Sequence, residues 1–330
     1  MDFVDVRILS MDALALPVEL EVQTATSKQS SSQSQIHLLA TGNSMGIVSL
    51  SWYSSSQNLQ TMWSSNYLDF PVLDLKFFTG LPQGHSSVSL YLAATSTRGK
   101  VVIWDMSSIF SQSTPNVISL EDSFDFPVIF ERQFSDGALN SIDFSVIHVP
   151  CIDKTHHSSS KVEHIPVIMF SIGLDSGDIL VAMLHMNEDR KFDLVDAAIC
   201  NRHASSVRSV HFLQTSSQSQ GMIRILSCGY DQAIAINTVF IALFAPLARI
   251  ISEKEKTPQE TEQLRECQVP GVCQAQESKK LMKMQIDTRE PPYGSPVGDL
   301  TSMCFVGTTG VLVAGRGMAT IDLNSIVELD

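Results

Sequence analysis

Residues Tyr91–Asp105 read YLAATSTRGKVVIWD, two short apolar runs held apart by a tight turn, the second ending in Trp104-Asp105. The same unit recurs as LLATGNSMGIVSL from Leu38, MFSIGLDSGDILV from Met169, ILSCGYDQAIAIN from Ile225 and VLVAGRGMATIDL from Val311. In register, each unit has a strand and then a small residue (Gly42, Thr95, Gly173, Gly229, Gly315). Three turn residues follow, then a second small residue (Gly46, Gly99, Gly177, Ala233, Ala319) and another apolar run; Gly317 lies inside the last turn. One Gly-x-x-x-Gly carries little information. Five in the same setting are an internal repeat, and a repeat decides the fold before local propensity does. Small residues let the chain take φ > 0 and turn tightly between antiparallel strands. Neither run alternates strictly; both are apolar nearly throughout, as strands covered on both faces are. A lone hairpin is marginal and must pack on others. The expected fold is therefore all-β, a radial array of stacked hairpins.

Outward from the hairpins, further strands are expected. FVDVRIL at residues 3–9, Pro71–Phe78, Ala138–Ile147, Val207–Phe212 and Val297–Phe305 read as inner strands preceding the five hairpins. Asn58–Ser64, Val128–Phe134 and Phe192–Ile199 read as outer strands after the first three. Four strands per unit is the content of a propeller blade. Polar stretches at Glu21–Gln35 and Cys151–Glu163 read as exposed loops between strands. The resulting division puts four blades in residues 1–251, a Glu/Lys/Gln-rich insertion or disordered loop in 252–292, and the last blade in 293–330. Whether the units close as five blades, form an incomplete ring or belong to a larger one is left open.

The chain has 330 residues, 44% hydrophobic and 17% charged, with a net charge of -13. That composition is globular, and the charge argues against gripping a phosphate backbone with the whole surface. Six cysteines occur without a Cys-x-x-Cys pair, and the N-terminal MDFVDVRILS lacks the pattern of a signal peptide. A reducing cytoplasmic or nuclear setting is expected. Ala233–Ile251 is nearly all apolar, but Asn237, Pro246 and Arg249 interrupt it. A membrane-spanning helix wants about 20 clean apolar residues, so a buried strand pair is expected there and no membrane among the partners, with a membrane span as the minor alternative.

At this point the residues resemble WD-repeat propellers. Trp104-Asp105 stands where that family's namesake dipeptide ends the third strand, and Asp175 and Asp231, two residues after Gly173 and Gly229, stand where it has its tight-turn aspartate. His203 matches the histidine of the family's Gly-His pair, with Arg202 in place of the glycine. The resemblance implies that His203 and Asp231 hydrogen-bond within one blade. A narrower likeness joins His203–Val210, the following SCGYDQ, and the final block with Val297, Asp299, Met303, Cys304 and VLVAGRGMATIDL. These are similar to the C-terminal propeller of the WD-repeat subunits that partner a tRNA wobble-position 2'-O-ribose methyltransferase. The likeness implies a non-catalytic accessory scaffold with protein partners and at most indirect tRNA contact. A generic interaction propeller, or a propeller-fold hydrolase, are the alternatives.

No candidate site displaces the scaffold reading. His156, His157 and His164 with Cys151 lack the spacing of a tetrahedral metal set, and Cys267 and Cys273 lack a histidine pair. GNSMG at Gly42 imitates a nucleophile elbow, but it is one of five aligned turns. No cofactor or metal is expected. A hydrolase would need convergent carboxylates or histidines around the axis, and the sequence displays no such set.

Overall fold

The computed structural model describes residues 6–16, 21–23, 36–54, 57–80, 89–110, 117–119, 124–152, 163–187, 189–213, 222–244, 282–287, 293–295, 297–306 and 310–323. Among these there is no α-helix; the strands form five antiparallel blades arranged as a β-propeller. Strand β1 (Ile8–Ala15) is followed by the short β2 (Glu21–Gln23), then β3 (Ile36–Asn43), β4 (Val48–Ser54) and β5 (Gln57–Ser65). Blade 1 runs β1-β3-β4-β5. Blade 2 is built from β6 (Val72–Thr79), β7 (Leu90–Ser96), β8 (Lys100–Asp105) and, after β9 (Val117–Ser119), β10 (Val128–Gln133). The short β2 and β9 pair in parallel between the two blades' loops. Blade 3 is β11 (Leu139–Ile152), β12 (Glu163–Leu174), β13 (Asp178–Met186) and β14 (Phe192–Asn201). Blade 4 is β15 (Val207–Leu213), β16 (Met222–Gly229), β17 (Ala233–Phe244) and β18 (Met282–Asp287), with β19 (Tyr293–Gly294) beside β17. Blade 5 contributes β20 (Gly298–Val306) and β21 (Gly310–Asp322).

The apolar runs do what their lack of alternation requires. In β7, Leu92 and Ala94 enter a core between blades 1 and 2, while Tyr91 and Ala93 enter the core between blades 2 and 3. Further cores lie between blades 3 and 4 and between blades 4 and 5. The central strands of blades 2, 3 and 4 are thus buried on both faces, while β3 in blade 1 alternates buried and half-buried residues, and the cores between blades, rather than one common core, hold the fold together. Trp104, fully buried at the end of β8, meets Trp63 edge-on with centroids 5.6 Å apart. Asp105 accepts the Ser107 N–H at 2.8 Å and so ends the strand.

The turn chemistry repeats bond for bond. Gly46, Gly99, Gly177 and Gln232 each donate a backbone N–H three residues back, to Asn43, Ser96, Leu174 and Gly229. All four sit at positive φ (82°, 71°, 89° and 61°), as the last residue of a three-residue hairpin loop does. Ser44, Thr97, Asp175 and Tyr230 then donate to Arg7, Pro71, Ala138 and Ser206, the residues just before each inner strand.

Four expectations change. The inner strand of blade 1 is Ile8–Ala15, later than residues 3–9, because β1 must stand opposite Ile36–Asn43. The last unit has no turn at its glycines: Gly315 and Gly317 lie within the continuous β21, which pairs back on β20 from Gly310 onward. Ala233–Phe244 is one long strand, not a pair, and residues 245–251 lie outside the described set. Its outer neighbour, Met282–Asp287, comes from inside the range 252–292, where an insertion or disordered loop is expected. No helix among the described residues is long and apolar enough to cross a membrane.

Candidate functional site

Four inner strands share an irregularity that places polar side chains around the axis. Their pairing skips one residue at Leu9, Leu73, Asn140 and Arg208. Such a bulge re-aims the residues that follow it. The third residue after the skip is Asp12 in blade 1, Lys76 in blade 2, Asp143 in blade 3 and His211 in blade 4, an alternation of acid and base. In blade 5 the irregularity is wider, and its third following residue is Cys304.

These groups stitch each blade to the next. Asp12 accepts the Phe77 N–H at 2.6 Å, and Asp143 accepts the Phe212 N–H at 2.9 Å. Asp74, two residues before Lys76, accepts the Ile142 N–H at 2.8 Å. Lys76 Nζ lies 3.3 Å from Asp143, and His211 Nδ1 lies 3.7 Å from the same carboxylate. His211 Nε2 continues the chain by donating to the Met303 carbonyl at 2.9 Å. Above this ring, the skipped residues meet across the seam of blades 3 and 4. Arg208 donates to Asn140 Oδ1 at 3.1 Å, and Asn140 donates to Ser206 and to the Val207 carbonyl.

The electrostatics follow from burial and partners. Burial pushes the Asp74 carboxyl up to about 7 against the pull of the Ile142 and Leu75 N–H groups. Asp12 is likewise raised by burial. Burial would also raise Asp143, but His211, Lys76 and the Phe212 N–H outweigh it and hold the carboxyl below its ordinary value. Lys76 is raised, because Asp143, Asp12 and Asp74 overcome the cost of its own burial. Asp74 makes a pH test. Its native pKa lies above the unfolded value near 3.9, so the stability it contributes is complete below that value and is lost as pH rises through about 7. Asp74→Asn should therefore flatten the stability–pH curve of the parent between about pH 4 and 7. Urea midpoints measured across that range decide it; parallel curves for the two proteins would reject the shift.

Of the residues singled out in the sequence, His203 and Asp231 meet in blade 4. Asp231 lies 3.0 Å from His203 Nδ1 and accepts the Ala204 and Ala233 N–H groups at 2.9 and 3.2 Å. His203 Nε2 lies 2.9 Å from Ser227 Oγ. With Nδ1–H donated to the carboxylate, Nε2 is left to accept from the serine hydroxyl. The order Ser227–His203–Asp231 matches a hydrolytic triad in connectivity. But His203 and Ser227 are buried inside the blade, leaving no room for a substrate at the hydroxyl. Their work is to lock the β16–β17 turn onto the chain entering blade 4. Asp231→Ala should cost about 1–3 kcal/mol, since it strands a buried imidazole and two N–H donors; an unchanged melting temperature would contradict this.

Asp175 does not occupy the same slot. Matching the hydrogen-bonded turns puts Ser176 opposite Asp231, and Asp175 opposite Tyr230. The sequence alignment on Gly173 and Gly229 is one residue out, because the positive-φ position of blade 4 is Gln232 and not Ala233. At the position of Trp104, counted from the paired turn, blade 4 carries Asn237, also fully buried. His156, His157, Cys267 and Cys273 lie outside the described residues, as do the side chains of Cys151 and His164. Among the described residues no cluster of histidine, cysteine or carboxylate ligands could hold a metal, and Cys200, Cys228 and Cys304 are free thiols. The inner-strand ring was not found from sequence; the signal was an ionisable residue at the fifth position of each of these four inner strands, hidden by the skipped residue. Compared with known proteins, the chain matches no family model and no curated protein.

Proposed function

We propose that this chain is a non-catalytic interaction scaffold, a rigid propeller whose rim and faces hold partner proteins. One observation carries the reading: the ionisable groups around the axis are engaged in bonds from one blade to the next, and the histidine–aspartate pair is enclosed within a blade. Chemistry of this kind stiffens a platform. In its narrower form the partner is a tRNA 2'-O-ribose methyltransferase, which the likeness of His203–Val210, SCGYDQ and the Val311 block supports. With a net charge of -13, the RNA contacts would then fall mainly to the enzyme. Affinity purification from cells followed by mass spectrometry tests both levels. Recovery of such a methyltransferase supports the narrower form, and recovery only of other assemblies leaves the general scaffold alone standing.

A hydrolase is the second reading, favoured by Asp74, whose carboxyl titrates near the range useful to a general acid or base. It predicts a hydrolytic activity abolished by Asp74→Asn without loss of fold. The bonds from both Asp74 oxygens to backbone N–H groups, Oδ1 to Leu75 and Oδ2 to Ile142, favour the scaffold instead.

A further inference from the structure

The inner strands compare blades 1 to 4 residue by residue, and blade 1 stands apart. The second residue after the skip is Leu75, Ile142 and Val210 in blades 2, 3 and 4, exposed by 2%, 3% and 1%. Each packs in the core shared with the preceding blade. Met11 holds that position in blade 1 and is 65% exposed. The residue before the skip is Val72, Leu139 and Val207, all 0% exposed, whereas Ile8 is 64% exposed. Around them Leu39 is half-buried, and Tyr53 is exposed and stacked on His37 at 4.7 Å. On blade 5, Val311 and Val313 pack toward blade 4, and the opposite face, with Cys304, Val306 and Met318, is exposed. No core among the described residues joins blade 5 to blade 1.

We infer that this open seam is a docking site for a β-sheet of a partner polypeptide, inserted between blades 5 and 1 as the other blades stack on one another. The inference rests on the scaffold reading and names where and how such a scaffold takes its partner. Continuity with the existing interfaces selects a sheet. Three seams in the molecule are made by an apolar sheet face on the inner-strand positions that Ile8 and Met11 occupy here. Exposed apolar clusters of this kind mark interaction surfaces. Self-association is the poorer occupant, because two copies each carrying -13 repel.

The test places a photo-crosslinking amino acid at Met11, at Val306, or at the exposed blade 4 turn residue Tyr230 as control, in the full chain in cells. The expected result is one partner polypeptide captured from both Met11 and Val306 but not from Tyr230. Its adducts should fall on alternate residues of a strand, the side-chain period of a sheet. Ile8→Asp should reduce the Met11 adduct by at least about tenfold, since it places a charge in a desolvated apolar contact. Adducts at helical spacing, adducts to a second copy accompanied by a dimer in sedimentation, or no adduct above the control would each overturn the inference. Partners that co-purify with the parent and survive Ile8→Asp would sink the seam and leave the scaffold. A parent chain that retains no partner at all would sink the scaffold itself.

Discussion

Gly99→Ala is expected to destabilise the protein by about 3 kcal/mol or more. The substitution combines a left-handed backbone position with a backbone clash. Gly99 has φ 71°, and a Cβ built there would lie 1.8 Å from the Ser135 carbonyl oxygen. That carbonyl belongs to the segment running from β10 into blade 3, and the adjacent Phe134 N–H donates to the Gly99 carbonyl at 2.8 Å. Making room for a methyl group would pull the two apart and break that bond. The same crossing occurs at Gly46, under Leu68, and at Gly177, under His203. Gly137 is the control: it has nothing within 4 Å of a built Cβ and no positive φ, so Gly137→Ala should change stability little. Urea unfolding of the three proteins checks the contrast; equal midpoints for Gly99→Ala and Gly137→Ala would refute it.

This crossing explains why the hairpins were legible in the sequence. In the first three repeats the second glycine answers two demands at once, a positive φ and the passage of another chain segment directly overhead. Few other residues meet both, so the repeat survives as a visible pattern where the flanking strands diverge. The pattern misled where one demand was absent. Gly317 has φ 127° but nothing near it, and it lies within β21 rather than at a turn. In blade 4 the turn is closed by Gln232, and matching glycine to glycine set Asp175 opposite Asp231 instead of Tyr230. The outer strand of blade 4, Met282–Asp287, was illegible for another reason. It is separated from β17 by a long charged stretch, and only pairing across that distance identifies it.

The ring of inner-strand ions was hidden by register. Asp12, Lys76, Asp143 and His211 become equivalent only after one skipped residue is counted in each strand, and a bulge has no dependable signature in a single sequence. Alternation also concealed them: each sits in an apolar context where a lone charge reads as a surface position. The pairs are fully non-local, Lys76 with Asp143 and Asp143 with His211, so their proximity is a property of blade stacking and not of sequence.

Asp143→Ala should remove the centre of that ring and cost about 2–4 kcal/mol. Breaking a buried pair typically costs about 3–5 kcal/mol, less where solvent screens one member, and the Lys76 side chain is 32% exposed. Three bonds end together: the Phe212 N–H loses its acceptor, Lys76 its nearest counter-ion and His211 its carboxylate. Asp143→Asn separates these contributions. The amide oxygen can still accept the Phe212 N–H, so the remaining deficit measures the loss of charge. The pH dependence has the opposite sign to that of Asp74. Because the native Asp143 carboxyl is held below its ordinary value, the stability it contributes is present above the unfolded value near 3.9 and is lost as pH falls through the native one. The gap between parent and Asp143→Ala should thus be full at neutral pH and narrow in acid, while Asp74→Asn gains on the parent as pH rises. Denaturant midpoints of the three proteins over one pH series distinguish the two carboxylates. A gap at Asp143 that stays constant into acid would show that its charge does not join the blades.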